Sequence, residues 1–151
     1  MMNNRSKVIK SDQSHWQGVE KKVYKTDTDN FKDIHRFTLL GEEIQELNFQ
    51  TRYFEIGPGG YSSLEKHRHP HSVIIIRGSG SVILDNELIP IQTHDVVYIA
   101  PQTIHQFHAD RSEELGFICI VDRHRDRPAI PDDETIRRVI TSPDVLNKIK
   151  K

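Results

Sequence analysis

Apolar residues in this chain come in runs of four or five, each cut short by a turn signal. Arg52-Tyr53-Phe54-Glu55-Ile56 reads as a strand closed by the turn Gly57-Pro58-Gly59-Gly60. Val73 to Ile76 is a second strand, broken by Gly78-Ser79-Gly80. Ser81 to Leu84 and Leu88 to Ile91 flank the hairpin-like turn Asp85-Asn86-Glu87. Val96 to Ile99 stops at Pro101, and His105 to His108 and Gly116 to Val121 supply two more strands. Upstream, Val19 to Lys25 and Phe37 to Leu40 are shorter candidates, the latter ending in a turn at Gly41, and residues 1–12 form a polar, aperiodic arm. Short strands with turns every roughly 8–12 residues predict an all-β sandwich or barrel rather than βαβ units. The texture changes at Arg123-His124-Arg125-Asp126-Arg127-Pro128. Beyond it, Asp132 to Ile140 predicts a helix with an acidic first turn, and Ser142-Pro143 a second helix start.

The 151 residues fit one domain, and 21 Lys and Arg against 22 Asp and Glu leave no field favouring nucleic acid or membrane. No run has the length of a membrane span, no export signal opens the chain, and Cys119 has no partner for a disulfide. A cytoplasmic setting follows as the expectation.

Candidate chemistry concentrates in Glu65-Lys66-His67-Arg68-His69-Pro70-His71. Five of the nine histidines fall between positions 67 and 105. On an extended segment, residues 65, 67, 69 and 71 share one face, so three imidazoles and a carboxylate converge beside the β core. Such a set suits a divalent metal.

The region from Gly59 to Val121 resembles the cupin superfamily. That family's first motif is a glycine, five residues, His-x-His, three or four residues, a glutamate, six residues and a glycine. Aligning His67-Arg68-His69 with His-x-His leaves Val73 at the glutamate position. Starting from Gly59 instead places Glu65, His67, His71 and Gly78 at every required spacing, with a glutamate in place of the first histidine and a histidine in place of the glutamate. This second register is favoured; His69 is then an alternative ligand or a neighbour hydrogen-bonding to the ligands. The second motif is eroded. His105 stands where its histidine belongs, but His94 and Gln102 replace glycines whose turns often need positive φ.

The resemblance implies a double-stranded β-helix (jelly-roll) barrel over residues 13–128, an N-terminal arm over 1–12 and a short helical extension over 129–151. It implies one divalent ion (Fe, Zn, Mn or Ni) held by Glu65, His67, His69, His71 and His105. The functions it implies are a metal-dependent enzyme such as a dioxygenase, a sugar isomerase or epimerase, or a non-catalytic binding module for a small molecule. A homodimer through edge strands is expected.

Phe54, Tyr98 and Phe107 read as barrel core or pocket lining. Arg52, if turned inward, would hold an anionic substrate. His94 and His108 read as surface or ligand-supporting positions, His15, His35 and His124 as solvated, Cys119 as an inert buried thiol, and the Arg123–Arg127 series as a solvated, salt-bridged connection.

Overall fold

Alternating inward and outward positions give the chain its architecture, seen in a computed structural model that describes residues 5–23 and 30–151. Eleven strands are formed among these residues: β1 (Ser11–Asp12), β2 (His15–Trp16), β3 (Lys22–Val23), β4 (Lys32–Leu40), β5 (Phe49–Tyr61), β6 (His71–Arg77), β7 (Ser79–Leu84), β8 (Glu87–Gln92), β9 (Val96–Ile99), β10 (His105–Ala109) and β11 (Leu115–Asp122). Helices α1 (Asp133–Val139) and α2 (Pro143–Lys148) follow. Of the expected strand at Val19 to Lys25, only Lys22 and Val23 are strand; residues 24 and 25 lie outside the described range.

The large sheet runs in the order β8-β7-β10-β5-β11-β6-β9, with β4 also on β5 and β3 on β4, and every pairing is antiparallel. It curls so that Phe54 and Ile56 of β5, Val73 and Ile75 of β6, Phe107 of β10, and Phe117 and Cys119 of β11 pack in one interior cluster. Side-chain period two sorts these inward residues from their neighbours. Val97 and Ile99 therefore face in, and Tyr98 between them is two-thirds exposed on the outer surface, not core.

Gly57-Pro58-Gly59-Gly60 does not end its strand. β5 runs on to Tyr61, leaving β11 after Ile56 and meeting β10 where Tyr61 faces His108. The glycine tract is a corner within the one large sheet, which bends where glycine permits rather than stopping the ladder.

Two outer layers complete the molecule. α1 and α2 place Ile136, Ile140 and Val145 against Leu64, Ile83 and Ile104. Gln106, fully buried, ties β10 to the C-terminus by donating to the Lys150 carbonyl and accepting from its N–H. His108 lies under this layer, 4% exposed and bonded to the Gln106 side chain, instead of at the surface or beside the other histidines. On another outer face the β1–β2 hairpin folds back over Phe37 and Tyr53. His15, expected to be solvated, stacks on Phe37 with centroids 4.7 Å apart and places Nε2 2.8 Å from Glu55.

Candidate metal centre

The residues of the first motif do not form the continuous strand expected for them. Glu65 bridges to His105, Lys66 bridges to Ala129, and the chain then bends at Arg68 and His69 before β6 begins at His71. The bend is made by Asp126. Its carboxylate accepts from the backbone N–H of both Arg68 and His69, at 2.9 and 3.0 Å, and from His69 Nδ1 at 2.8 Å. The Arg68 N–H first, then the His69 imidazole, hold the Asp126 carboxyl well below the usual carboxylate range. A second support comes from the turn before β10, where Gln102 N–H donates to the His67 carbonyl at 2.7 Å. Both eroded glycine positions keep left-handed backbone, with φ of 79° at His94 and 65° at Gln102.

Four imidazoles are gathered. His67 stacks on His69 and His71 with centroids 3.7 and 4.4 Å apart, and His105 stands edge-on to His67 at 4.8 Å. In each ring Nδ1 is engaged by protein. His67 Nδ1 donates to the His69 carbonyl at 2.7 Å, His105 Nδ1 to the Thr103 carbonyl at 2.8 Å, and His69 Nδ1 to Asp126; His71 Nδ1 lies 3.5 Å from Cys119 Sγ. A carbonyl or carboxylate accepts only, so the first three rings carry a proton on Nδ1, and neutral His67 and His105 turn a bare Nε2 lone pair inward. His69 Nε2 is 2.9 Å from His71 Nε2, and Glu65 Oε1 is 3.8 Å from His105 Nε2.

Electrostatics favour the neutral form of His67, His71 and His105. Burial, then the neighbouring imidazoles, push His71 down to about 2. Burial also takes His105 down to about 4, against the bond to Thr103, and lowers His67.

One atom tests whether a metal fits. His67 Nε2 is buried with no hydrogen-bond partner, a condition that typically costs about 1–3 kcal/mol. His67, His69 and His71 on one side, and Glu65, His67 and His105 on the other, each offer ligand atoms within 4.8 Å of one another. A cation shared by these donors relieves the orphaned lone pair, so the residues fit the group. Nitrogen-rich donors with one carboxylate suit Fe, Zn, Mn or Ni. The structure brings together all five residues singled out from the sequence, and both Glu65 and His69 stand in the set.

The centre lies in a cavity of about 350 Å³. Of the residues read as core or pocket lining, Arg52, Phe54 and Phe107 line it; Tyr98 does not, because its strand parity turns it to the outside. The Arg123–Arg127 series is not the solvated, salt-bridged connection expected. Arg123 donates to the carbonyls of Glu42, Ile44 and Leu47, Arg125 to Gln50 and Asp122, and Arg123, Arg125 and Arg127 all border the cavity. Asp126 is the supporting residue that sequence reasoning missed. Its one signal was being the lone acid within Arg-His-Arg-Asp-Arg.

A curled antiparallel barrel with histidines converging at its cavity defines a β-barrel protein with a candidate metal centre. The comparisons with known proteins agree. Residues 52–121 match the cupin-domain family model. A 1-methylthio-D-xylulose 5-phosphate methylsulfurylase from Rhodospirillum rubrum is 37% identical over 122 residues, 80% of this chain and 77% of the relative. A cupin 2 conserved barrel domain protein from Rhodopseudomonas palustris superposes with a TM-score of 0.84 at 34% identity, over 93% of this chain and 97% of that one. A cupin 2 domain-containing protein from Halorhodospira halophila gives 0.75 at 39% identity, covering 95% and 94%. The chain belongs to the cupin family.

Proposed function

We propose that this cupin is a metal-dependent enzyme acting on a small oxygenated molecule, its cation held by His67, His71, His105 and either Glu65 or His69. The observation that carries the proposal is the set of imidazoles whose Nδ1 atoms are engaged by protein while their Nε2 atoms gather around the orphaned Nε2 of His67. When bound, a divalent cation supplies Lewis acidity toward a substrate oxygen, or redox chemistry if it is iron. The protein's own part is to fix the rings through Asp126 and Thr103, and to line the cavity with Phe54, Phe107 and Phe117, which exclude water.

The Rhodospirillum relative supports Lewis-acid work on a ketose phosphate over the dioxygenase reading. An isomerase would need a spare acid–base group, whereas Asp126 is committed to His69 and Glu65 is itself a candidate ligand. A methylthio group beside a ketone can pass to a thiol. The new S–S bond forms as C1–S breaks, and that electron pair enters the enol, which takes a proton. The test uses protein purified without an affinity tag, analysed for metal and then assayed without oxygen on 1-methylthio-D-xylulose 5-phosphate and a small thiol. One metal per chain and anaerobic loss of the methylthio group support the reading. Oxygen uptake by an iron-loaded protein with no anaerobic turnover would replace it with the dioxygenase.

A homodimer and a cytoplasmic setting remain part of this proposal. The exposed Val96 and Tyr98 on β9, at one end of the sheet order, support the first, and the free thiol of Cys119 the second. Among the described residues no helix is long and apolar enough to cross a membrane.

A further inference from the structure

Five arginines border the cavity: Arg36, Arg52, Arg123, Arg125 and Arg127. Arg123 is committed to three backbone carbonyls. Arg52 is held by far less. It is 8% exposed, its Nε has no hydrogen-bond partner, and its Nη2 reaches only the sulfur of Cys119, at 3.6 Å. Among the described residues no carboxylate stands within ion-pair distance of it.

Arg125 adds a second guanidinium to the same space. One of its nitrogens is fixed by Gln50 and Asp122, at 2.9 and 3.1 Å. Burial first, then the positive charges of Arg52 and Arg36, disfavour its charged form. The acids that also line the cavity answer these charges only in part: Asp126 is bound to the 68–69 bend, Glu65 stands beside His105, and exposed Glu42 supports the charged form of Arg125 less than burial and Arg52 oppose it. Buried like charges without a full counter-charge are costly, and a guest anion lowers the cost. Two guanidinium forks match the several oxygens and double charge of a phosphate group better than a single carboxylate.

Position ties this charge to the metal centre. The Cys119 sulfur that meets Arg52 also lies 3.5 Å from His71 Nδ1, so one small molecule can reach both. We propose that Arg52 and Arg125 form an anion subsite beside the histidines that holds the phosphate of a phosphate monoester substrate. This deepens the enzymatic reading above and rests on it for the identity of the neighbouring centre.

Calorimetric titration of D-xylulose 5-phosphate, D-xylulose and inorganic phosphate into Mn²⁺-loaded protein tests the subsite, with the metal content of every sample measured. The ester is expected to bind about tenfold or more tightly than the free sugar, and inorganic phosphate to compete with it. Arg52→Gln and Arg125→Gln should each bring that ratio close to one with metal content unchanged. Arg52→Lys, which keeps the charge should Arg52→Gln fail to fold, should retain part of it. Equal affinity for ester and sugar, a ratio that survives both substitutions, or failure of both ester and inorganic phosphate to bind overturns the subsite. Discrimination that persists in protein unable to take up metal upholds the subsite and removes the metal reading instead.

Discussion

His67, His69, His71 and His105 each give one ring nitrogen to the protein and leave the other for the centre, so the groups that hold Nδ1 matter nearly as much as the rings. Asp126 holds three N–H groups of the bend that carries this set. Asp126→Ala should therefore weaken metal binding about 10–100-fold, measured by competition with a chelator. The choice between Glu65 and His69 is settled at the same scale. If the favoured register is right, Glu65→Ala lowers metal retention more than His69→Ala; the reverse order assigns His69 as the fourth ligand. Sequence spacing left these two open because both lie at odd positions of one run. The structure adds the reason: the two stand on opposite sides of His67, His69 against His71 and Glu65 against His105, so each completes a donor set of its own.

Elements carry the histidines to one place through turns whose shape outlives their usual residues. Gln102 sits at φ 65° while its N–H supports the His67 carbonyl. Left-handed backbone costs a non-glycine residue about 1–2 kcal/mol, partly offset by the greater chain entropy of glycine when unfolded. Gln102→Gly is thus expected to raise stability by up to about 1 kcal/mol in denaturant titration, with metal affinity unchanged. A loss of stability would show that the Gln102 side chain contributes more than the backbone strain. Gly78, the last residue of the favoured register, is the opposite case. At φ 69°, a Cβ there would stand 1.8 Å from the Glu114 carbonyl oxygen, so Gly78→Ala should destabilise the β6–β7 connection strongly. The strands themselves were legible because their interior residues alternate. Tyr98 was misread for the same reason, since Val97 and Ile99 already claimed the inward parity of β9.

At the scale of the whole molecule, the barrel and its histidine centre were readable from short strands and motif spacing, but the outer layers were not. His15 closes over Phe37 and Glu55, and His108 lies beneath the C-terminal layer, tied to Lys150 through Gln106. Both contacts join segments distant in sequence, and neither leaves a local pattern. His108 also couples the fold to pH. Burial, with Lys148 and Lys150 adding repulsion, takes it down to about 4 from an ordinary 6.5. The unfolded chain then binds a proton that the fold refuses, so stability is complete above pH 6.5 and falls as pH drops toward 4. The loss attributable to this ring is up to about 3 kcal/mol. The difference in unfolding free energy between wild type and His108→Gln should shift by that amount across the window, and a constant difference would mean the ring titrates normally. The larger account turns on the cation. Anomalous diffraction from crystals of Mn²⁺-loaded protein tests it most directly. A single strong peak bonded to the Nε2 atoms of His67, His71 and His105 is the expected result; no peak among these rings, or a peak elsewhere on the barrel, would contradict it.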